Sequence, residues 1–253
     1  HGCTGADRQR DREGEGLDGP DDHSGGGVPY EVAADGMWSP VRKHLGLATP
    51  GYRGEWHAFR QYFTAVGPRA ADLVVWFEPD LLPGYAWSFP LPGGRANVGF
   101  GIQRGGKVAR IQDMATIWPD LLARPHIRAV LGDAARPDSP HRAWPIPARI
   151  DGAVLTGERT LFVGDAATAT DPLTGEGIGQ ALLTGELAAD AIVEHAPRAT
   201  AVTGAYRAAA HRALVADHRM SLLLIRAVRH RKSVRAGLRL AGATGWTRRN
   251  FGR

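Results

Sequence analysis

The stretch LFVGDAATATDPLTGEGI, residues 161–178, constrains the fold of this chain more than any other part of it. A short apolar run passes directly into Gly-Asp, then into a loop with a proline and two further glycines, and then into a segment rich in Ala, Leu and Ile at helical spacing. This order predicts a buried strand around Leu161–Val163, a loop, and a helix over about residues 178–195. We therefore expect an α/β fold around this stretch.

The same stretch has the chemistry of a ligand site. A helix N-terminus leaves free backbone N–H groups and a partial positive charge, and Gly175 and Gly177 lie where the helix should begin. Glycine lets a ligand approach the backbone closely. Asp165 follows the strand directly, and its carboxylate can accept hydrogen bonds from sugar-type hydroxyls. These features suit a ligand with a polyol and an electron-accepting end, but the residues alone equally allow a structural corner in which Asp165 caps a turn.

Upstream, the sequence predicts a short strand, a turn and a helix start. Glu31–Ala34 has strand character, and Asp35-Gly36 is typical of a turn. Ser39 is a favourable N-cap, and Pro40 is a favourable first residue of a helix.

Residues 56–103 predict an antiparallel sheet. Four segments are rich in β-branched or aromatic residues and are bounded by Gly, Pro or Asp, namely WHAFRQYFTAVG, DLVVWFEP, GYAWSFPL and RANVGFGI. LPGGR between the last two predicts a hairpin turn. Residues 111–134 have helical spacing and are expected to be cut into short helices by Pro119 and Pro125. The prolines of HRAWPIPARI, residues 141–150, exclude a helix and confine this segment to a sheet edge or a linker.

The C-terminal part of the chain is strongly basic. Residues 204–242 predict one or two amphipathic helices. Residues 207–253 contain twelve Lys or Arg and one acidic residue, a net charge of +11, whereas residues 1–206 contain 19 basic and 25 acidic residues, a net charge of −6. Such a segment is either a solvated helical face or a surface that contacts an anionic partner. We expect no nucleic-acid partner and keep peripheral membrane contact as the alternative to the solvated face.

Composition excludes several classes of protein. No stretch reaches the ~18 consecutive apolar residues of a membrane-spanning helix. Cys3 is the single cysteine and cannot form an internal disulfide, which fits a cytoplasmic location. No Cys/His cluster has metal-ligand spacing, so we expect no metal. Residues 1–29 are rich in glycine and charge, and we expect them to be disordered or a misread leader.

The segment GDAATATDPLTGEGI resembles the second flavin-binding motif of the two-dinucleotide-domain flavoproteins, the superfamily of the aromatic hydroxylases and the geranylgeranyl reductases. The resemblance implies FAD as the cofactor, with Asp165 at its ribityl chain and the start of the helix at the pyrimidine edge of its ring. A helix dipole at that edge would stabilise negative charge on the reduced ring. The resemblance assigns cofactor binding to Gly164, Asp165, Pro172, Gly175, Glu176, Gly177 and Ile178.

A second segment, AADGMWSPVRKHLG, is similar to the Asp-Gly motif of the same superfamily. Five residues match that motif, namely Asp35, Gly36, Ser39, Arg42 and Gly46. The resemblance implies that the motif lies beside the pyrophosphate side of FAD. It adds Asp35, Gly36 and Arg42 to the predicted cofactor-binding residues.

A third segment, YAWSFPLPGGRANVGFG, resembles the geranylgeranyl reductase pattern Tyr-x-Trp-x-Phe-Pro, eight residues, Gly-x-Gly. Alternation places Tyr85, Trp87 and Phe89 on one face of a strand. An aromatic wall suits a long isoprenoid chain, although the same face is equally an ordinary sheet core. The resemblance implies a prenyl-lipid or other apolar substrate whose carbon–carbon double bonds are reduced by a hydride from reduced FAD and a proton. It leaves the electron donor open between NAD(P)H and a reduced carrier.

No side chain stands out as the catalytic proton donor. His57, His126 and His141 are candidates, but an isolated histidine is more often structural or on the surface.

The resemblance covers about residues 30–253 and implies a partial FAD/NAD(P)-binding, Rossmann-like domain with an inserted antiparallel-sheet substrate domain and C-terminal helices. We expect residues 30–50 and 151–197 to belong to the FAD-binding domain, residues 51–150 to the substrate domain, and residues 198–253 to basic helices. The family begins with a strand followed by Gly-x-Gly-x-x-Gly, which this chain lacks, so we expect a fragment. Two alternatives are an FAD-dependent monooxygenase of the aromatic-hydroxylase type and a non-catalytic fragment with a basic membrane-binding tail.

Overall fold

A computed structural model describes residues 30–106 and 109–243, which form two sheets and six α-helices. The predictions for residues 1–29 and for residues 244–253 lie outside the described residues. The strands are β1 (Glu31–Ala33), β2 (Trp56–Thr64), β3 (Val74–Trp76), β4 (Tyr85–Leu91), β5 (Arg95–Gln103), β6 (Arg136–Pro137), β7 (Arg142–Ile146) and β8 (Thr160–Phe162). The helices are α1 (Pro40–His44), α2 (Met114–Ala123), α3 (Pro125–Leu131), α4 (Ile178–His195), α5 (Ala199–Val228) and α6 (Arg231–Gly242).

β1 and β8 form a small parallel pair, which joins two segments that are far apart in the sequence. α4 and α5 pack against this pair around a core that includes Leu161, Phe162 and Tyr206. The Tyr206 hydroxyl donates to the Phe162 carbonyl at 2.5 Å and ties α5 to β8. Because the two strands run in the same direction, Asp35 and Asp165 follow them at the same edge of the pair.

The second sheet has the order β3-β4-β5-β2-β6, and β7 lies beside β6 along the same edge of β2. Every pair in it is antiparallel, which confirms the prediction for residues 56–103. The prediction of a hairpin between β4 and β5 is also confirmed. Residues of α2 and α3 pack on one face of the sheet around Phe59, Phe100 and Trp118. The edge position of β7 confirms the expectation for residues 141–150.

One helix prediction is wrong in detail. Pro119 does not cut the helical segment but lies inside α2, whereas Pro125 does begin the next helix, α3. A proline removes one helical hydrogen bond, here the bond to the carbonyl of Ala115. Ala115 and Pro119 are both exposed, so water can satisfy that carbonyl and the proline ring does not disturb the core.

The predictions around the opening stretch hold almost to the residue. β8 begins and ends one residue earlier than the expected strand, and α4 has the expected bounds. The basic segment forms two helices, and the first of them begins at Ala199, before the predicted range. Along residues 30–106 and 109–243, none of the helices combines the length and the apolar composition that crossing a bilayer requires.

Candidate functional site

An apolar cavity of about 250 Å³ lies between the antiparallel sheet and the loop that precedes α4. Tyr85, Trp87 and Phe89 line it together, because alternate residues of β4 share one face of the sheet. Residues 172–176, part of the predicted flavin motif, line it as well. The structure therefore brings the predicted substrate residues and part of the predicted cofactor loop together. The other lining residues are Trp56, Ala58, Gly84, Gly101 and Ile146.

The three aromatic side chains form a continuous wall. The ring centroids of Tyr85 and Trp87 are 5.9 Å apart, and those of Trp87 and Phe89 are 5.7 Å apart. Gly99 faces Trp87 across β4 and β5, and a Cβ atom at position 99 would lie 2.5 Å from Cζ2 of the indole. Only glycine there lets the indole lie flat on the sheet. Trp87 is 9% exposed and is therefore both cavity lining and buried sheet residue, whereas Tyr85 and Phe89 are half-buried.

The loop before α4 is organised by one carboxylate, that of Asp171. Its Oδ1 accepts hydrogen bonds from the backbone N–H of Leu173 at 2.9 Å and from the backbone N–H and hydroxyl of Thr174 at 2.8 and 2.9 Å. Its Oδ2 accepts a hydrogen bond from the Ser221 hydroxyl at 2.6 Å. Since Ser221 belongs to α5, these contacts fix the loop on that helix.

A second contact fixes the loop on the sheet. The Tyr85 hydroxyl donates to the carbonyl of Thr174. Burial raises the pKa of the Tyr85 phenol, and the nearby carboxylates of Asp171 and Glu176 raise it further. The phenol therefore keeps its proton near neutral pH and remains a hydrogen-bond donor to the loop.

The loop ends where α4 begins, and three predicted cofactor residues shape that point. Gly175 has a left-handed backbone, with φ 71°, which favours glycine. The Glu176 carboxylate accepts a hydrogen bond from the backbone N–H of Gly179 at 2.8 Å and so caps the first turn. Gly177 approaches Asp165 closely, since a Cβ atom there would lie 3.7 Å from its Oδ1. Ile178, the first residue of α4, is 74% exposed.

A narrow polar cleft lies on the other side of Asp165, between the Asp-Gly segment and the turn after β8. It is lined by Asp165, Thr168 and Arg42, together with Met37, Leu47, Thr49, Tyr52, Arg149, Gly152, Ala153, Val154 and Ala166. Burial raises the pKa of the Asp165 carboxyl, and a hydrogen bond from the Thr170 hydroxyl at 3.2 Å opposes this shift. Thr168 has a left-handed backbone, with φ 55°, which is unusual for a β-branched residue.

Of the other predicted cofactor residues near this cleft, Arg42 lines it and joins its two sides, whereas Asp35 and Gly164 do not line it. The Arg42 guanidinium donates to the carbonyls of Val154 at 2.8 Å and Ala166 at 2.7 Å. Asp35 accepts hydrogen bonds from the Ser39 hydroxyl at 2.9 Å and the Val41 N–H at 3.0 Å, so it supports the start of α1.

Two further predicted cofactor residues, Gly36 and Gly164, have left-handed backbones. Gly36 has a left-handed backbone, with φ 79°, in the turn before α1. Gly164, with φ 56°, donates its N–H to the Thr184 hydroxyl at 2.9 Å and brings α4 close to the end of β8.

The residues present fit a flavin with its polyol chain. In the described structure, the Asp165 side chain accepts one hydrogen bond, so its carboxylate has capacity for ligand hydroxyls. Among the residues that the structure describes, the buried hydroxyl of Thr168 has no hydrogen-bond partner, although buried polar groups are normally paired. A bound ligand with hydroxyl groups would satisfy both. Gly175 and Gly177 carry no side chain where α4 begins, which lets a ligand approach the backbone there.

Sequence reasoning missed several lining residues. Trp56 and Ala58 reach the cavity because β2 pairs with β5, and Tyr52 and Arg149 reach the cleft, where the guanidinium lies 3.6 Å from the centre of the phenol ring. These pairings join distant segments, so local pattern carried no signal for them. The one signal in the sequence was Trp56, a large aromatic residue at the start of a predicted strand.

The histidines considered as proton donors do not line the cavity. His57 lies between Trp56 and Ala58 on β2 and contacts the Arg104 guanidinium at 3.3 Å. His126 pairs with a carboxylate of Glu78 at 2.8 Å. His141 stacks on the ring of Phe59, with centroids 4.6 Å apart.

The described residues contain no group of three or more His, Cys, Asp or Glu side chains that could hold a metal ion.

Comparison with known proteins supports the cofactor assignment. The sequence profile of the FAD binding domain matches residues 27–188. Digeranylgeranylglycerophospholipid reductase 1 of Methanopyrus kandleri is 33% identical over 173 residues, which are 64% of this chain and 42% of that protein. Menaquinone reductase of Mycolicibacterium smegmatis is 30% identical over 186 residues, which are 67% of this chain and 42% of that protein. The chain thus spans about two fifths of the length of these relatives.

Solved structures show the same fold. A geranylgeranyl bacteriochlorophyll reductase-like protein from Thermoplasma acidophilum superposes with a TM-score of 0.66 at 19% identity, over 80% of this chain and 51% of that one. A probable FAD-dependent monooxygenase from Pseudomonas aeruginosa gives 0.57 at 20% identity, over 81% and 57%. At 19% and 20% identity, these two structures show a shared fold and nothing about function. The profile match covers more than half of the chain, and the protein therefore belongs to the FAD-binding-domain family, whose cofactor is FAD.

Proposed function

We propose that the protein carries the substrate cavity and part of the flavin site of an FAD-dependent reductase that saturates carbon–carbon double bonds of prenyl lipids. The observation that carries this proposal is the shared cavity. The aromatic wall of β4 and the loop before α4 line one apolar space, so a substrate chain on the wall would lie directly against the predicted flavin edge. Two relatives with about 30% identity are named as reductases of prenyl compounds, which supports the same class.

The residues of this chain would position both reactants. Bound FAD supplies the two-electron chemistry, as a hydride when it is reduced. The Asp165 carboxylate would accept hydrogen bonds from the hydroxyl groups of the polyol chain, the Thr168 hydroxyl would donate to them or accept from them, and the backbone of residues 175–177 would lie beside the ring. The aromatic wall holds an apolar chain without demanding hydrogen bonds and keeps water away from the reacting carbon atoms.

The loop between the reactants needs a fixed position, because small displacements of reacting groups cost large factors in rate. Asp171 and Tyr85 supply it from two sides, through Ser221 on α5 and through β4 itself. Neither residue needs to exchange a proton for this role. The predicted cofactor residue Arg42 closes the polar cleft around Asp165, and Asp35 and Gly36 shape the turn and the start of α1 that carry Arg42.

An anaerobic assay tests the proposal. The purified protein is supplied with FAD, a chemical reductant and a geranylgeranyl lipid, and the lipid is analysed by mass spectrometry. We expect products that have gained one pair of hydrogen atoms for each double bond reduced. An oxygen-dependent hydroxylated product would instead identify a monooxygenase of the aromatic-hydroxylase type. Unchanged lipid together with a failure to bind FAD would leave a non-catalytic fragment and contradict the proposal.

A further inference from the structure

A second apolar recess, a groove of about 390 Å³, lies between the edge of the antiparallel sheet and α6. The sheet contributes Val75 and Phe77, which are 36% and 38% exposed. The helix contributes Val234 and Leu238 from one of its faces. The remaining residues of the groove are Trp76, Glu78, Pro79, Leu82, Arg231 and Arg235.

The groove adjoins the substrate cavity. Val75 pairs with Trp87 across β3 and β4, so it shares the face of the sheet that carries the aromatic wall. Phe77 continues that face, and its ring centroid lies 6.1 Å from that of Tyr85. An apolar chain can therefore run from the cavity, past Tyr85, into the groove without leaving an aromatic surface.

The rim of the groove is positively charged. Arg231, Val234, Arg235 and Leu238 follow the i, i+3, i+4, i+7 spacing of one helix face, so two guanidinium groups border the apolar residues. Within residues 30–106 and 109–243, neither Arg231 nor Arg235 has a side-chain partner. The one carboxylate of the groove, that of Glu78, is already paired with Arg124 at 2.5 Å and with His126 at 2.8 Å.

We infer that this groove binds the anionic head group of the lipid substrate, a phosphate ester, with Arg231 and Arg235 as its cations. The inner isoprene units then lie on the wall of Tyr85 and Trp87, and the outer units pass over Phe77. This inference rests on the proposed function and adds to it the place at which a phosphate head group binds, with the two side chains that bind it. Two unpaired guanidinium groups at the mouth of an apolar groove complement the charge and shape of such a lipid.

The experiment compares two ligands that differ only in the head group, geranylgeranyl monophosphate and geranylgeraniol. Binding to the full chain is measured by titration calorimetry in detergent solution. We expect the wild-type chain to bind the phosphate about tenfold more tightly, the scale of two solvent-exposed charge contacts. The double variant Arg231→Ala/Arg235→Ala should lose this preference and keep its affinity for the alcohol.

A matched variant on the same helix separates a site from a general charge effect. Lys232 and Arg239 are exposed on α6 and do not line the groove, so Lys232→Ala/Arg239→Ala removes the same charge and should keep the preference. If both double variants lose the preference for the phosphate equally, the helix presents only a diffuse cationic face and the inference is wrong. The inference is also wrong if Arg231→Ala/Arg235→Ala keeps the preference. If the wild-type chain binds both ligands equally well, the head-group site is wrong and the proposed function stands. If it binds neither ligand, the proposed function fails as well.

Discussion

Asp165 places a carboxylate where burial opposes its charge, and this conflict is what suggests a function for it. Its pKa is raised by burial, and the Thr170 hydroxyl is the one side chain that donates to it in the described structure. A structural aspartate in a turn would have its oxygen atoms satisfied by neighbouring groups, as Asp171 has through Leu173, Thr174 and Ser221. Asp165 is instead left with capacity to accept hydrogen bonds next to the unpaired hydroxyl of Thr168.

Replacing Asp165 by Asn should release flavin. A hydrogen bond to a charged group contributes about 1.5–3 kcal/mol, so we expect cofactor affinity to fall by about one to two decades. The dissociation constant for FAD, measured by the quenching of flavin fluorescence, checks this. Asp190→Asn, on the exposed side of α4, is the matched control and should bind as the wild type does. An unchanged affinity in Asp165→Asn would contradict the ribityl assignment.

The same variant should change how stability depends on pH. Because the folded-state pKa of Asp165 is raised, the protonated side chain stabilises the fold below the unfolded pKa of about 3.9, and this contribution is lost as pH rises through the folded pKa. In the absence of flavin, the stability of Asp165→Asn relative to that of the wild type should therefore be greater at neutral pH than at acidic pH. Urea unfolding at several pH values measures this difference. A difference between the two proteins that stays constant from pH 3 to neutral pH (~7) would show that the carboxyl titrates normally.

For single residues of the site, the sequence was informative where the functional groups lie close together along the chain. The Gly-Asp and Gly-x-Gly spacing predicts Asp165, Gly175 and Gly177 as candidate site residues, and the structure places Gly177 beside Asp165. Thr168 lies three residues from Asp165, yet nothing in its identity predicts a left-handed backbone and an unpaired hydroxyl. Tyr52 reaches the cleft only because the chain folds back on itself.

Among the elements, the loop before α4 depends most on its neighbours. It belongs to the flavin motif, yet its position is set by α5 through Ser221 and by β4 through Tyr85. α5 also packs Ile225 against Trp56 of the cavity. A change in α5 can therefore reach both the cofactor loop and the substrate wall.

Ser221→Ala should loosen this loop. Loss of its hydrogen bond to Asp171 should cost about 1 kcal/mol and lower the melting temperature by about 2–4 °C, with faster dissociation of FAD. Thermal unfolding and a stopped-flow measurement of flavin release check both effects. Ser233→Ala on α6, where the serine is exposed, should change neither the melting temperature nor the rate of FAD release. Ser221→Thr retains the hydroxyl and should keep the wild-type values. Faster release in both alanine variants would argue against a specific contact.

The packing of β4 on β5 leads to a second prediction for the elements. Gly99→Ala places a Cβ atom 2.5 Å from Trp87 and 2.6 Å from the carbonyl of Phe59, so the indole must move into the cavity. Overpacking of this kind costs about 1–3 kcal/mol, and we expect lower stability together with weaker binding of geranylgeraniol. Gly204→Ala on α5, which has open space around it and lines neither the cavity nor the cleft, is the control. Unchanged binding in Gly99→Ala would show that Trp87 does not define the cavity wall.

Strand and helix types were predictable, because alternation and helical spacing are properties of short segments. The pairing of β2 with β5, β6 and β7 was not, since it depends on segments up to 90 residues apart. The wrong expectation for Pro119 has a similar origin. Whether a proline breaks a helix depends on whether water reaches the freed carbonyl, and only the fold determines that exposure.

For the whole molecule, the main feature is the separation of charge. Residues 207–253 carry twelve Lys or Arg and one acidic residue. In the described part of this segment, Leu223, Leu224, Leu238 and Leu240 are 44–70% exposed. The apolar stripe of the basic helices is therefore only partly used for packing on the rest of the protein. Exposed leucines beside many cations are typical of a helix that lies in a membrane interface.

We therefore predict peripheral, salt-sensitive binding to anionic membranes. Each cation near an anionic surface contributes about 1 kcal/mol, and the attraction is screened in about 1 M salt, where the Debye length is about 3 Å. Co-sedimentation with anionic vesicles should be strong at low ionic strength and lost at high ionic strength, and neutral vesicles should not bind. Lys232→Glu/Arg239→Glu should weaken it, whereas Arg69→Glu/Arg110→Glu, exposed cations outside the basic helices, should not. Equal weakening by both pairs would show that net charge alone is responsible, and no binding at low salt would leave the basic segment as a solvated face.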